Sequence, residues 1–143
     1  KGQRYYKNTP ANAPAVILAA RLYQRLKRPD DLAWANRIYD WQKKTLVDPA
    51  TGYVYDGINR NNDGQIDLNW KFTYCQGVFI GAALELYRIT GTAVYLNDAV
   101  KTAGFTLSDP VLSGSGLLRD EGGGDGGLFK GVLVRYLTLL ALE

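Results

Sequence analysis

The chemistry open to this chain is restricted by two features of its composition. The sequence contains no histidine and a single cysteine, Cys75. Histidine-based triads, Cys–His catalysis, most zinc sites and imidazole acid–base catalysis are therefore excluded. Cys75 has no partner with which to form a disulfide within the chain. If the chain takes part in chemistry, carboxylates, tyrosines or lysines must carry it.

Polar residues that could bind a ligand occur at positions 73–77, with the sequence TYCQG, directly ahead of an apolar helical pattern. Val78, Ala82 and Leu86 fall on one stripe of an amphipathic helix, and Gly91 stands at its C-cap position. A core helix would favour leucine or alanine in its first turn. Free N–H groups at a helix N-terminus are frequent ligand positions, so we predict that the helix body is scaffold and residues 73–77 belong to a site.

Hydrophobic periodicity predicts five helices, at about residues 10–28, 29–44, within 72–91, 93–106 and 126–140. Between the second and third helices, the alternation of Tyr53 and Tyr55 against Ile66 and Leu68 predicts a short β-hairpin that turns at residues 62–64. A glycine-rich loop precedes the last helix.

An internal repeat underlies these helices. Leu22 recurs as Leu86, a spacing of 64 residues, and Leu32 and Ala35 recur at the same spacing as Leu96 and Ala99. Repeated helical hairpins form either an α/α toroid or an α-solenoid. Long insertions after alternate helices favour the toroid, because such loops can line a single mouth. We therefore predict an all-α chain of helical hairpins that forms part of a toroid.

The bulk properties limit the remaining functional classes. With 143 residues, the chain is one domain or a piece of a larger one. It has no run of about 18 apolar residues, so no membrane span is expected. The net charge of +3 is scattered over helix faces, which argues against a nucleic-acid partner. The chain starts at Lys1 and lacks methionine, as is typical of an internal segment, and no signal sequence is visible.

Four segments together resemble glycoside hydrolase family 76, the α-1,6-mannanases and their relatives in fungal wall assembly. They are KNTPANAPAVILAARLYQ (7–24), GYVYDGIN (52–59), WKFTYCQGVFIGAALELYRITG (70–91) and DGGLFKGVLVRYL (125–137). The resemblance covers essentially the whole chain in family order. It implies an (α/α)6 toroid that hydrolyses mannose-containing polysaccharide with retention, without a cofactor, in a full-length protein that is extracellular or at the cell surface.

The family's reaction uses two adjacent aspartates, a nucleophile and an acid/base, in a loop ahead of the region matched here. The only adjacent pair in this chain is Asp30–Asp31, directly after Pro29. That is a position where carboxylates cap a helix or favour its dipole, so we assign the pair a structural role. We expect the catalytic residues to lie outside this C-terminal part of the barrel, which on its own should hydrolyse nothing.

Under this resemblance the candidate substrate-binding residues are Asn8, Tyr55, Asp56, Tyr74, Gln76 and Lys130. The Asp56 carboxylate could accept hydrogen bonds from a sugar diol while Tyr55 or Tyr53 stacks on the ring; capping of the turn before Gly57 is an equally open role. Tyr74 and Gln76 suit hydroxyl recognition, with simple capping of the helix start as the alternative. Asn8 and Lys130 lie in family-like motifs, and a solvated helix position remains open for Lys130.

Several alternatives bear on partners and metals. Cys75 stands where the family commonly carries asparagine. The thiol lacks the donors and the acceptor of an amide, so one contact to the ligand or to a neighbouring side chain is expected to differ. Asn59, Asn61, Asp63 and Gly64, followed by Ile66 and Asp67, imitate a calcium loop. Trp70 replaces the final glutamate, and we predict an ordinary turn and no metal site. Trp34, Trp41 and Trp70 are assigned to core or rim packing. Two alternative functions remain open. The first is a carbohydrate-binding or wall-remodelling scaffold without hydrolysis, and the second is a protein-binding solenoid.

Helix faces that are left uncovered predict self-association unless further chain covers them.

Overall fold

The computed structural model describes residues 4–143 and arranges five helices in two layers. The helices are α1 (Thr9–Leu26), α2 (Pro29–Leu46), α3 (Thr73–Thr90), α4 (Ala93–Ser108) and α5 (Gly126–Ala141). Helix α3 packs between α1 and α5, while α2 packs on α1 and α4 packs on α3. This architecture confirms the prediction of helical hairpins. No helix within residues 4–143 is long and apolar enough to span a bilayer.

The two helical hairpins repeat each other at the level of backbone geometry. Lys27 and Gly91, equivalent positions in the repeat, both adopt the left-handed conformation, with φ of 56° and 65°. Each donates its backbone N–H to a tyrosine carbonyl one turn earlier, Tyr23 in the first hairpin and Tyr87 in the second, at 2.8 and 2.7 Å. The turns that follow α1 and α3 are therefore built in the same way, although only one of them uses glycine.

Helix α3 is the centre of the core. The sequence pattern predicts an amphipathic helix, but this is wrong, because almost every side chain from Thr73 to Leu86 is buried. The cause is tertiary packing, because α1, α4 and α5 enclose α3 from three sides. Glycine makes the contact with α5 possible. A Cβ atom added at Gly77 would lie 2.7 Å from the Cα of Leu133, and one at Gly81 would overlap the ring of Tyr136.

The long connections lie at one end of the helices. The N-termini of α1, α3 and α5 lie at this end, together with the loops 47–72 and 109–125. The loops are joined by an ion pair between Lys71 Nζ and Asp109 Oδ2 at 2.8 Å and by a hydrogen bond from Arg119 to the Lys71 carbonyl at 2.9 Å. The Glu121 carboxylate accepts hydrogen bonds from the backbone N–H and the hydroxyl of Thr73, the first residue of α3. We call this the loop end.

The predicted pairing of Tyr53 and Tyr55 with Ile66 and Leu68 is wrong. Gln76 occupies both backbone groups of Val54, and the N–H and carbonyl of Tyr55 are taken by Leu46 and Thr9. These groups are therefore not free to pair with residues 66–68.

The short strands form elsewhere. Strand β1 (Lys7–Asn8) pairs antiparallel with β2 (Gly57–Ile58), and Ile58 also forms a single bridge with Ile66. The predicted turn at residues 62–64 is present, with φ of 61° at Asn62 and 71° at Gly64. The small hairpin consists of β3 (Ser113–Gly114) and β4 (Leu117–Leu118), within the loop 109–125.

Apolar surface remains uncovered on α5. Leu128, Val134 and the following Leu142 are 71%, 48% and 77% exposed. Self-association through such faces stays a prediction.

The contact between α3 and α5 can be tested with two glycines. Gly77→Ala should lower the free energy of unfolding by about 1–3 kcal/mol, because the added methyl group meets the backbone of α5. Gly104→Ala, on α4 with nothing within 4 Å of the added Cβ, should raise it by about 0.5–1 kcal/mol. Urea denaturation of the intact protein measures both. Equal effects of the two substitutions would contradict the close approach.

Candidate functional site

A buried carboxylate organises the loop end. Asp56 is only 3% exposed. Its Oδ2 accepts hydrogen bonds from the Tyr6 hydroxyl at 2.6 Å and from Arg60 Nη2 at 2.8 Å, and its Oδ1 accepts one from the Tyr74 hydroxyl at 2.7 Å. The thiol of Cys75 lies 3.5 Å from Oδ1. The side chains of the chain itself thus surround Asp56, and the expectation that it meets a sugar diol directly requires correction, because the carboxylate lies beneath the surface.

Arg60 holds this cluster together. Its guanidinium pairs with Asp56 and, at 3.0 Å, with Asp67. It also lies 4.4 Å from the ring centre of Tyr6 and 3.9 Å from that of Trp70. The turn that returns the chain to this point is fixed by Asn59, whose side-chain oxygen accepts the N–H of Gly64 at 2.7 Å. Tyr6 and Arg60 were not predicted as site residues, and Asp67 was considered only as part of the calcium-like loop. The one signal in the sequence was the position of Arg60 four residues after Asp56.

Aromatic rings extend from this cluster across the loop end. Tyr74 packs against Phe129, with ring centres 4.1 Å apart, and stacks on Phe72 at 5.5 Å. Phe72 in turn meets Trp70 edge to face at 5.7 Å. We call Trp70, Phe72, Tyr74 and Phe129 the aromatic row. Phe129 was not singled out, although it belongs to the DGGLFKG segment.

A depression of about 430 Å³ lies beside the Tyr74 end of the row. It is lined mainly by apolar side chains of α1, α3 and α5, namely Pro10, Tyr74, Val78, Leu128, Phe129 and Val132, with Asp125 at its edge. Tyr74 is therefore shared. Its ring belongs to the depression, and its hydroxyl belongs to the cluster around Asp56.

Gln76 does not reach this depression. It is fully buried, and its amide donates to the carbonyls of Val54 and Phe72 at 2.7 and 3.2 Å and accepts the N–H of Val54 at 2.9 Å. The expectation that it recognises hydroxyls therefore needs correction, because the amide is inaccessible. Gln76 instead ties the segment before Asp56 to α3.

The other predicted site residues lie at the same end but with different contacts. Asn8 is the N-cap of α1, and its side chain accepts the N–H of Ala11 at 3.2 Å. Tyr55 is half-buried against the edge of Tyr53, with ring centres 4.9 Å apart. Lys130 follows Phe129 and has its ammonium 3.9 Å from the carboxylate of Asp120.

The calcium-like loop uses its oxygens internally. Besides the bond between Asn59 and Gly64, the carboxylate of Asp63 accepts the N–H of Gln65 at 2.9 Å, and Asp67 faces the cation of Arg60. Within residues 4–143, no group of three or more Asp, Glu or Cys side chains is placed to hold a metal.

The Asp30–Asp31 pair lies in the first turn of α2, at the end of the hairpin opposite the loop end. Asp31 binds Arg28 at 3.0 Å. Neither side chain caps the helix, so the pair acts on the helix terminus through charge alone. This geometry supports the structural role predicted for it.

Comparison with known proteins decides the family. The sequence profile described as glycosyl hydrolase family 76 matches residues 1–142. The chain belongs to this family. Among fungal relatives, a mannan endo-1,6-alpha-mannosidase of Candida glabrata is 34% identical over 92 residues, which are 63% of this chain and 21% of that protein. The chain thus spans about a fifth of that relative.

Solved structures of similar proteins agree with the fold. The Lin0763 protein of Listeria innocua is 55% identical with a TM-score of 0.92, over 98% of this chain and 40% of that one. An α-1,6-mannanase of Salegentibacter sp. HEL1_6 is 49% identical with a TM-score of 0.91, over 96% of this chain and 41% of that one. An inactive variant of that mannanase, with two consecutive aspartates replaced by alanine, was solved in complex with α-1,6-mannotetrose.

The tyrosines that bind Asp56 are held in their protonated form. Burial, followed by the neighbouring thiol of Cys75 and the hydrogen bond to Asp56, raises the pKa of Tyr74 far above its ordinary value. Burial and the hydrogen bond to Asp56 likewise raise the pKa of Tyr6. Both hydroxyls therefore remain hydrogen-bond donors to Asp56 at any physiological pH.

Tyr74→Phe should lower the free energy of unfolding by roughly 1–3 kcal/mol at neutral pH, because it removes a donor from a buried carboxylate. When folding raises the pKa of a tyrosine, the protonated tyrosine stabilises the folded protein, fully so below about pH 10. This stabilisation is lost as the pH rises further, because the tyrosine of the unfolded protein then releases its proton. The variant should therefore lose less stability than the parent above pH 10. Urea denaturation as a function of pH measures this difference.

Tyr5→Phe is the matched control, because Tyr5 is 56% exposed in the same segment as Tyr6. Its effect should be negligible at every pH. Identical alkaline profiles for the parent protein and Tyr74→Phe would contradict the bond to Asp56.

Proposed function

We propose that the intact protein hydrolyses α-1,6-linked mannan with retention and that this chain supplies one wall of the sugar groove. The observation that carries the proposal is the sharing of Tyr74 between the Asp56 cluster and the aromatic row, in a family 76 chain. Support also comes from the Salegentibacter mannanase, which is similar over nearly the whole of this chain and binds an α-1,6-linked mannose oligosaccharide as an inactive variant. A polysaccharide substrate implies action outside the cell or at its surface.

Tyr74 is the residue we place nearest the sugar. Its ring lines the depression, and because its proton is donated to Asp56, its oxygen lone pairs are free to accept from a sugar hydroxyl. Asp56 is then a positioning residue, since its carboxylate fixes the hydroxyls of Tyr74 and Tyr6 and the guanidinium of Arg60. Gln76 holds the same loop against α3 through its hydrogen bonds to the backbone of Val54.

Asn8, Tyr55 and Lys130 are proposed as rim contacts. Asn8 precedes Pro10 by two residues, and Lys130 directly follows Phe129; both Pro10 and Phe129 line the depression. Each of the three side chains is partly exposed. Asn8 and Lys130 can therefore meet a saccharide that lies across the mouth of the depression without rearrangement of the helices.

The carboxylates that carry out hydrolysis are proposed to lie in the remainder of the intact protein. Retaining glycosidases use two carboxyl groups about 5–5.5 Å apart, of which one forms a covalent glycosyl-enzyme and the other acts as acid and then base. The consecutive pair in this chain, Asp30–Asp31, lies at the end of the helices opposite the loop end, and Asp31 is paired with Arg28. In the Salegentibacter protein, the variant with two consecutive aspartates replaced is inactive, which supports a catalytic pair of that kind.

The intact protein should release reducing sugar from α-1,6-mannan, and the first product seen by proton NMR should have the α configuration. Residues 1–143 alone should release none. If the intact protein gave calorimetric heat on addition of mannan oligosaccharides but released no reducing sugar, hydrolysis would be contradicted. The non-catalytic binding or wall-remodelling scaffold would then be favoured.

Asp56→Asn should raise KM for mannan oligosaccharides and lower kcat/KM about 10–100-fold, with a smaller change in kcat, because Tyr74 and Arg60 lose the charge that aligns them. Asp98→Asn is the control. Asp98 also binds a tyrosine, Tyr39 at 2.7 Å, and a cation, Lys43 at 2.6 Å, but it lies on α4, in the outer layer.

Both substitutions should lower the thermal midpoint, whereas only Asp56→Asn should change KM. A parallel loss of kcat/KM in both variants would show that Asp56 contributes to stability alone.

A further inference from the structure

A second depression, of about 290 Å³, lies in the loop formed by residues 60–70. We call it the loop pocket. It is lined by Arg60, Trp70, Leu68, Asn61 and Asn69 and by the acidic residues Asp63 and Asp67, among others. Trp70 and Leu68 are 45% and 64% exposed, and both asparagines are exposed. Large apolar groups and amides are thus presented together on a surface that also includes Arg60 and Asp67 of the Asp56 cluster.

The loop pocket is connected to the depression beside Tyr74 by the aromatic row. Trp70 forms one wall of the loop pocket, its ring meets Phe72 at 5.7 Å, and Phe72 stacks on Tyr74 at 5.5 Å. The two depressions therefore lie at the two ends of a continuous series of rings on the loop end. A linear polymer bound at one depression has a path of aromatic surface towards the other.

The exposed indole is held in place before any ligand arrives. Its ring packs on the guanidinium of Arg60 at 3.9 Å, and Arg60 is itself fixed by ion pairs to Asp56 and Asp67. Little conformational freedom remains to be lost when a ligand stacks on Trp70, and such preorganisation increases affinity. Packing at the rim, the role predicted for Trp70, does not require the indole to be 45% exposed.

We propose that the loop pocket is a distal subsite for a further hexose unit of the same polysaccharide. Trp70 and Leu68 would contact the C–H face of the sugar, and the amides of Asn61 and Asn69 would bind its hydroxyls. The proposal rests on the proposed function. It makes the enzyme sensitive to substrate length, since only oligosaccharides long enough to span both depressions gain from the second contact.

The test compares kcat/KM of the intact protein for α-1,6-linked mannose oligosaccharides of increasing length. Trp70→Ala should lower kcat/KM for the long oligosaccharides about tenfold more than it lowers kcat/KM for the shortest cleaved one. Trp70→Phe, which keeps an aromatic face, should retain most of the gain with length. Asn69→Ala, which leaves the aromatic row intact, should lose part of that gain.

Trp34→Ala is the matched control. Trp34 is 55% exposed and lies over an arginine, Arg37, at 5.1 Å, but it belongs to α2, away from the aromatic row. Its substitution should change kcat/KM at no length. A thermal melt of each variant verifies that it is folded.

Two results would overturn the distal subsite. One is an equal loss for short and long oligosaccharides in Trp70→Ala, which would place the indole in support of Tyr74. The other is no loss at any length in both Trp70→Ala and Asn69→Ala. The failure of the proposed function looks different, since the unsubstituted protein would then cleave none of the oligosaccharides.

Discussion

The arrangement of the loop end depends on one buried charge. A carboxylate removed from water is strongly destabilising unless donors surround it. Asp56 obtains its donors from three separate parts of the chain, with Tyr6 ahead of α1, Arg60 in the loop and Tyr74 on α3. Satisfying this single group therefore fixes the relative positions of three segments. The aromatic row is thereby also fixed in position, because Tyr74 and Trp70 are held by the same cluster.

The helices provide the rigid base that this cluster requires. Tyr74 stands in the first turn of the most deeply buried helix, and Gly77, one turn further on, brings the backbone of α5 into contact with it. Phe129, on α5, is thereby brought to 4.1 Å from Tyr74. A larger residue at position 77 would displace α5 and open this contact. The geometry of the depression is thus set by the packing of backbone on backbone, which is less adaptable than contact between side chains.

The sequence predicted the helices and their repeat because periodicity is a local property. It identified Asp56, Tyr74 and the one-sided loops for the same reason, since each belongs to a short segment with a recognisable pattern. It could not predict that Gln76 takes both backbone groups of Val54 and so prevents the expected hairpin. It also could not predict the burial of Asp56, because the donor from Tyr6 comes from 50 residues away.

The ligand proposed above, a neutral polysaccharide, fits a loop end in which the carboxylate is buried and the rings are partly exposed. A sugar competes with water for every polar group it meets, and a fully exposed carboxylate is already well hydrated. Because Asp56 is paired with Arg60 and covered by two tyrosines, its charge orients its neighbours without having to be desolvated by the ligand. The surface left to the ligand consists of aromatic faces and hydroxyl or amide groups already fixed in place. The buried ion pair thus aligns the groups proposed to bind, most of which are uncharged.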